Sequence, residues 1–214
     1  MNNVQFYKWV LSKTLELKIK PVVRLNSDAN YLKLLIETQL TDENLKELQW
    51  FSNQKQFKEA LHSFNPMEIV KEGKYLNFLD RVLDIFEPEN VSVYKKLTKI
   101  AFQSSKYIVS SGGLISLNEK IEAIKDYDEL LTFIDGFRKE SGLQDMYFIK
   151  TCRFFQNSGL LDIPVPNAHA KDILIEKMSL VDDNKEIFGK LIDILDENNI
   201  SGFELNQRLD AINI

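Results

Sequence analysis

The sequence predicts an all-α protein. Apolar residues recur at three- and four-residue spacing along nearly the whole chain, and no segment makes a convincing strand. The eight glycines and five prolines fall mostly at the joints between periodic segments, as terminators should. At 214 residues, 44% apolar and 28% charged, the chain is long enough to bury a core and too apolar to stay disordered.

The elements follow in order. Residues 4–18 bring Phe6, Val10, Leu11, Leu15 and Leu17 near one face, and the pattern breaks at Pro21. Asp28 or Asn30 can cap a helix through Tyr31, Leu32, Leu34, Leu35 and Ile36, because a short side-chain oxygen accepts from the free amides of a first turn. Thr41, with Asn44 three residues on, opens the next helix before Leu45, Leu48 and Trp50. Ser52 or Asn53 opens 54–63. Asn65-Pro66 opens 66–71, with proline where a missing N–H costs nothing. Further helices are predicted over 74–86, 90–109, 117–124, 127–135, 143–158, 167–177, 184–198 and 201–212. Ser110-Ser111-Gly112-Gly113 is the loosest joint and reads as a hinge. It would divide a single domain, 1–214, into lobes of about 30–112 and 1–29 plus 113–214.

Composition narrows the function. No apolar run reaches the roughly 18 residues of a membrane span, and the N-terminus lacks the unbroken apolar stretch of a signal peptide. A cytoplasmic monomer is the expectation. The lone Cys152 excludes an intramolecular disulfide framework and reads as a small buried filler. No His, Asp and Glu set has metal-ligand spacing, so no cofactor is expected. His62 reads as a structural group at a helix end. The net charge of −5 weighs against a polyanionic partner. Basic residues nonetheless cluster: Lys8, Lys13, Lys18, Lys20 and Arg24 early; Lys95, Lys96, Lys99 and Lys106 in the middle; Arg138, Lys139, Lys150 and Arg153 later.

Chemistry concentrates in residues 134–174, IDGFRKESGLQDMYFIKTCRFFQNSGLLDIPVPNAHAKDIL. The pattern predicts a helix ending near Gly136, a basic turn bounded by Gly136 and Gly142, and a helix over 143–157. An extended Ile163-Pro164-Val165-Pro166 piece then leads into a helix opened by Asn167. Backbone amides of the glycine turn could hold a phosphate beside Arg138 and Lys139. Asn167 would cap a helix whose free amides face an anion, with His169 in its first turn.

This order resembles the helix–hairpin–helix DNA glycosylases, including the 8-oxoguanine type, in which "Pro-Val-Asp-x-His" opens a helix. RFFQNSGLLDIPVPNAHAKDIL (153–174) matches that stretch in spacing and apolar pattern. NYLKLLIETQLTDENLKEL (30–48) is similar to the family's early helix with its glutamine turn, and EIFGKLIDILDENNISGFELNQRLDAI (186–212) to its C-terminal helices. The resemblance covers about 90 residues. It implies a protein that binds damaged double-stranded DNA, flips an oxidised purine from the stack, and cuts its glycosidic bond in a pocket between two lobes. It gives Gln39 the task of filling the gap left behind, Gly136 and Gly142 the hairpin grip on phosphates, and His169 a phosphate contact.

The catalytic positions depart from the family. Its aspartate is Asn167 here, which carries no negative charge and cannot act as a general base. Its Schiff-base lysine falls on Ile149 by ungapped alignment, so Lys150 serves as nucleophile only if the register shifts by one residue, about 100° of helix. Asp145, Asp162 and Asp172 are the nearby carboxylates that could substitute. Two alternatives stay open: a catalytically inactive DNA-binding relative, and an unrelated helical interaction module.

Overall fold

The computed structural model describes residues 1–140 and 147–212. Among them are thirteen α-helices, one 3-10 turn and no strand. No described helix is long and apolar enough to cross a membrane. The residues gather into two compact units. Met1–Arg24 joins Phe148–Ile214 in the first, and Leu25–Tyr147 forms the second.

The chain begins in the first unit with α1 (Asn3–Lys13), opened by a capping box in which Asn2 and Gln5 satisfy each other's amides. Phe6, Tyr7 and Val10 form its buried stripe. The helix stops at Thr14, and 15–26 run without regular structure. Leu15 is largely exposed, so the helix is shorter than its apolar pattern implies.

The second unit runs α2 (Asp28–Gln39), α3 (Asp42–Glu47), α4 (Gln54–Ala60), a 3-10 turn (His62–Phe64), α5 (Pro66–Lys71), α6 (Tyr75–Phe86), α7 (Val91–Ser111), α8 (Gly113–Glu122) and α9 (Tyr127–Glu140). Its spine is α7, which packs on α2, α5 and α6 and buries Val93, Leu97, Ile100, Ala101 and Ile108. Trp50 sits inside, with Phe57 at 4.5 Å and Phe64 at 5.8 Å between ring centroids, and its indole N–H donates to Glu37 at 2.7 Å. The polar end of a buried indole is thereby satisfied.

Several joints differ from expectation. Ser27, not Asp28 or Asn30, caps α2 by accepting from the Asn30 amide. Asp28 instead accepts from the Leu114 amide at 2.7 Å. That bond pins the Ser110–Gly113 joint, which is tight rather than hinge-like: α8 begins as soon as α7 ends, through Gly112 and Gly113 with φ of 88° and 68°. A Cβ on Gly113 would lie 2.7 Å from the Asp28 carboxylate oxygens. Accordingly α8 and α9 stay with the second unit, which runs on to Tyr147 rather than ending at 112. The helix expected over 54–63 ends at Ala60, because His62, Ser63 and Phe64 all take positive φ. The turn buries Phe64, and His62 Nε2 meets Glu72 Oε1 at 2.7 Å.

Gly136 does not end α9. Ile134 and Phe137 continue the buried stripe past it, and an interior glycine costs a helix only about 1 kcal/mol. Gly142 and Asp145 lie outside the described residues.

Back in the first unit come α10 (Phe148–Ser158), α11 (Ala168–Met178), α12 (Asn184–Asn198) and α13 (Gly202–Asp210). Phe6 and Val10 of α1 join Ile173 and Leu174 of α11, Leu191 and Ile194 of α12, and Leu205 and Leu209 of α13 in one core. Cys152 is buried on α10.

Candidate functional site

The site begins with the strap between α10 and α11. Ile163, Pro164, Val165 and Pro166 are all buried, and two of them lack an N–H. Buried backbone groups need partners. Asn206 of α13 supplies them at Val165: its Oδ1 accepts from Val165 N at 2.7 Å and its Nδ2 donates to Val165 O at 2.9 Å. Gln156 of α10 donates to Ile163 O at 3.0 Å and to Asn206 Oδ1 at 2.8 Å. The helix comes this close because residue 202 is glycine; a Cβ there would lie 2.4 Å from the Ile163 carbonyl carbon. Asp162 accepts from the Gly202 amide at 2.8 Å, so its carboxylate anchors the start of α13.

The strap delivers Asn167 as the N-cap of α11, extended at φ −70° and ψ 168°. Its Oδ1 accepts from Ala170 N at 2.8 Å. Its Nδ2 donates to Asp210 Oδ1 at 3.1 Å. Around this pair lies a cleft of about 240 Å3, lined by Arg153 and Asn157 of α10, Val165, Asn167, and Phe203, Gln207 and Asp210 of α13, with Gln156 and Asn206 at its base. Arg153, Asn157 and Asp210 are exposed. The cleft is rich in side-chain amides, with one guanidinium and one carboxylate. Such a set can hydrogen-bond sugar and phosphate oxygens and hold a negative charge beside a developing cation.

The other sequence candidates fall elsewhere. His169 Nε2 meets Ile212 O at 2.8 Å. A carbonyl only accepts, so Nε2 carries the hydrogen, and in the neutral ring Nδ1 is left as an acceptor. A phosphate contact from His169 therefore needs the protonated ring. Lys150 lies on α10, half-buried and one turn before Arg153, and does not line the cleft. Asp172 is exposed on α11.

Gln39 is 2% exposed, inside the second unit, where its Nε2 donates to Leu35 O at 3.1 Å and to Ser104 Oγ at 3.4 Å. It is a core amide, not a surface wedge. Gly136 is interior to α9, so its N–H is committed to the helix ladder and cannot grip a phosphate. Arg138 pairs with Asp135 at 3.7 Å, and Lys139 is exposed.

Charge is divided unevenly. The first unit has twelve basic and twelve acidic residues, and the second has fifteen and twenty, so the acidic excess belongs to the second. Within residues 1–24 five basic residues face one acid, Glu16. Gln207 fixes this segment to the cleft margin: Lys20 N donates to Gln207 Oε1, and Gln207 Nε2 to Lys20 O, both at 3.0 Å.

Sequence reasoning missed Asp210, Asn206 and Gln207. The available signal was Asn206 and Asp210 four residues apart on one helix face, next to Gln207. Among the described residues no group of three or more His, Cys, Asp or Glu side chains is placed to hold a metal. No protein-family model, curated protein or solved structure matches this chain.

Proposed function

We propose that the chain is a helix–hairpin–helix glycosylase-like protein that binds damaged double-stranded DNA at the Asn167 cleft of its first unit. The observation that carries this reading is the capping of α11 by Asn167 at the end of a buried Pro-Val-Pro strap, directly beside an exposed carboxylate, Asp210. Arg153 and the basic segment around Lys20 supply cations for phosphates. In base excision the bond from the sugar C1′ to the base breaks, its electron pair leaves with the base, and positive charge grows on the sugar. Asp210 would stabilise that charge from a position next to the one where the resembling family keeps its aspartate. Water then adds at C1′ and gives up a proton; Lys150, which does not line the cleft, would add instead as a Schiff-base amine only where bound DNA runs from the cleft along α10.

A second reading is DNA binding without excision. The neutral Asn167 amide and the buried Gln39 favour it.

The test uses duplexes carrying 8-oxoguanine or an abasic site beside an undamaged duplex. Anisotropy should report damage-preferring binding that weakens with salt. Base release, or borohydride trapping lost in Lys150→Ala, with release falling at least tenfold in Asp210→Asn, supports the enzyme. Binding with neither release nor trapping supports the second reading. Indifference to DNA at all salt concentrations overturns both.

A further inference from the structure

We infer that the second unit binds a flat aromatic cation in the hollow between α8 and α9. The inference stands apart from the DNA reading and concerns different residues. The hollow measures about 620 Å3 and takes in Tyr107, Ala123, Ile124, Phe133, Gly136 and Phe137. Its size lies within the roughly 300–1,000 Å3 of small-molecule sites, and its apolar walls with a few convergent polar groups match their usual make-up.

The aromatic part is a built cluster. Tyr107 and Phe137 meet edge to face at 5.7 Å and 89°, and Phe133 lies 6.4 Å from Phe137. Tyr107 and Phe137, 9% and 3% exposed, back the hollow, and half-buried Phe133 is the ring placed to meet a ligand, since a ring face attracts cations as well as flat rings. The rim is acidic: among the described residues, Asp128, Glu129 and Glu140 stand against Lys120 alone. Lys120 is already paired with Glu140 at 3.2 Å, so Asp128 and Glu129 carry the surplus. Glu129 is held in place, because its Oε2 accepts from Lys125 N at 2.8 Å while its own amide donates to Asp126 at 2.9 Å. A fixed carboxylate attracts a cation without first losing side-chain freedom.

Gly136 is the independent sign. Glycine is the poorest interior helix former after proline. Here neither positive φ nor crowding calls for it, since a Cβ at 136 would meet nothing within 4 Å. Its missing side chain leaves the α9 backbone open to the hollow, and close approach of a ligand to the backbone is a standard reason for such a glycine.

The experiment titrates the full chain, free of nucleic acid, with proflavine, a planar cationic dye, and with an anionic naphthalenesulfonate of similar size. Proflavine should bind at one saturable site, at least tenfold tighter than the anion. Gly136→Leu fills the hollow with a better helix former and should weaken proflavine at least tenfold while the helical circular dichroism is kept. Glu129→Gln keeps the acceptor for Lys125 N, removes the charge, and should weaken proflavine severalfold without changing anion binding. No saturable binding, equal affinity for the two dyes, or affinity unchanged in both variants would overturn the proposal.

Discussion

Asn206 grips Val165 by both backbone groups, accepting from its amide at 2.7 Å and donating to its carbonyl at 2.9 Å. One side chain thus does for the strap what a neighbouring strand would do, and the position of Asn167 follows from it. Asn206 is 4% exposed and lies at the base of the Asn167 cleft. Asn206→Ala should cost about 1–3 kcal/mol, since it orphans the buried Val165 N–H, whereas Val165 O keeps Asn167 N at 2.8 Å and the Gln156 amide keeps Ile163 O at 3.0 Å. Asn206→Asp keeps the acceptor, loses the donor and buries a charge; it should be at least as damaging at neutral pH and recover in acid. Urea midpoints of the two variants check this, and a loss below about 1 kcal/mol for Asn206→Ala would mean the strap is held by something else.

The Asn167–Asp210 pair allows a charge test. Asn167→Asp preserves the cap, because a carboxylate also accepts from Ala170 N, but sets a second negative charge against Asp210. Adding Asp210→Asn removes the repulsion and restores a donor facing the carboxylate now at position 167. A double-mutant cycle should give a coupling of about 1 kcal/mol at neutral pH, small because Asp210 is exposed. The coupling should shrink with salt and vanish once both carboxyls are protonated. If the excision reading holds, the swapped pair should retain more base release than Asp210→Asn alone.

Helix positions are largely legible in the sequence because capping chemistry is local. The Thr41–Asn44 capping box, the Asn65-Pro66 start and the Asn167 cap all form as the sequence predicts. The α12 bounds, Asn184–Asn198, match the periodic segment itself. Long-range pairing is what the sequence does not display. Asp28 has the side chain of a cap, yet its carboxylate meets Leu114, 86 residues on. Ser110–Gly113 has the composition of a slack loop, yet its glycines serve a tight reversal under that carboxylate. Asn167 is visible as a candidate, whereas Asp210, 43 residues away, enters the site only through the packing of α13 on the strap.

Two glycines should respond oppositely to the same change. Gly202→Ala drives a Cβ to 2.4 Å from Ile163 C, a backbone atom that cannot rotate aside. The strap or α13 must move, and the loss should exceed about 2 kcal/mol, as overpacking does. Gly136→Ala meets open space inside α9 and should gain about 0.5–1 kcal/mol from the lower entropy of the unfolded chain. Chemical denaturation separates the two. A destabilised Gly136→Ala would show that residue 136 needs a conformation only glycine reaches, as a glycine hairpin there would require.

The Tyr31–Tyr107 pair makes the second unit sensitive to alkali. Burial raises the Tyr107 hydroxyl to about 12, with the nearby Glu140 adding to it. Burial raises Tyr31 well above its ordinary value, and its hydrogen bond to Tyr107 adds further. Tyr107 is 9% exposed and Tyr31 wholly buried, so desolvation of the phenolate is the leading cause at both. In the unfolded chain a tyrosine loses its proton near pH 10. Between there and the folded value the unfolded state binds fewer protons than the folded one, so stability falls as pH rises. Each hydroxyl held protonated contributes a slope of about 1.4 kcal/mol per pH unit. Stability from this pair should be whole below about pH 10 and then fall steeply, with a burst of tyrosinate absorbance at unfolding. Tyr107→Phe removes one titrating group, so its urea midpoint should start lower, for want of the Tyr31 partner, yet decline with a shallower alkaline slope, since Tyr31, Tyr94 and Tyr7 are still raised by burial. If all seven tyrosines ionise smoothly around pH 10 while the helical signal persists, the pair is solvated and this account of the core is wrong.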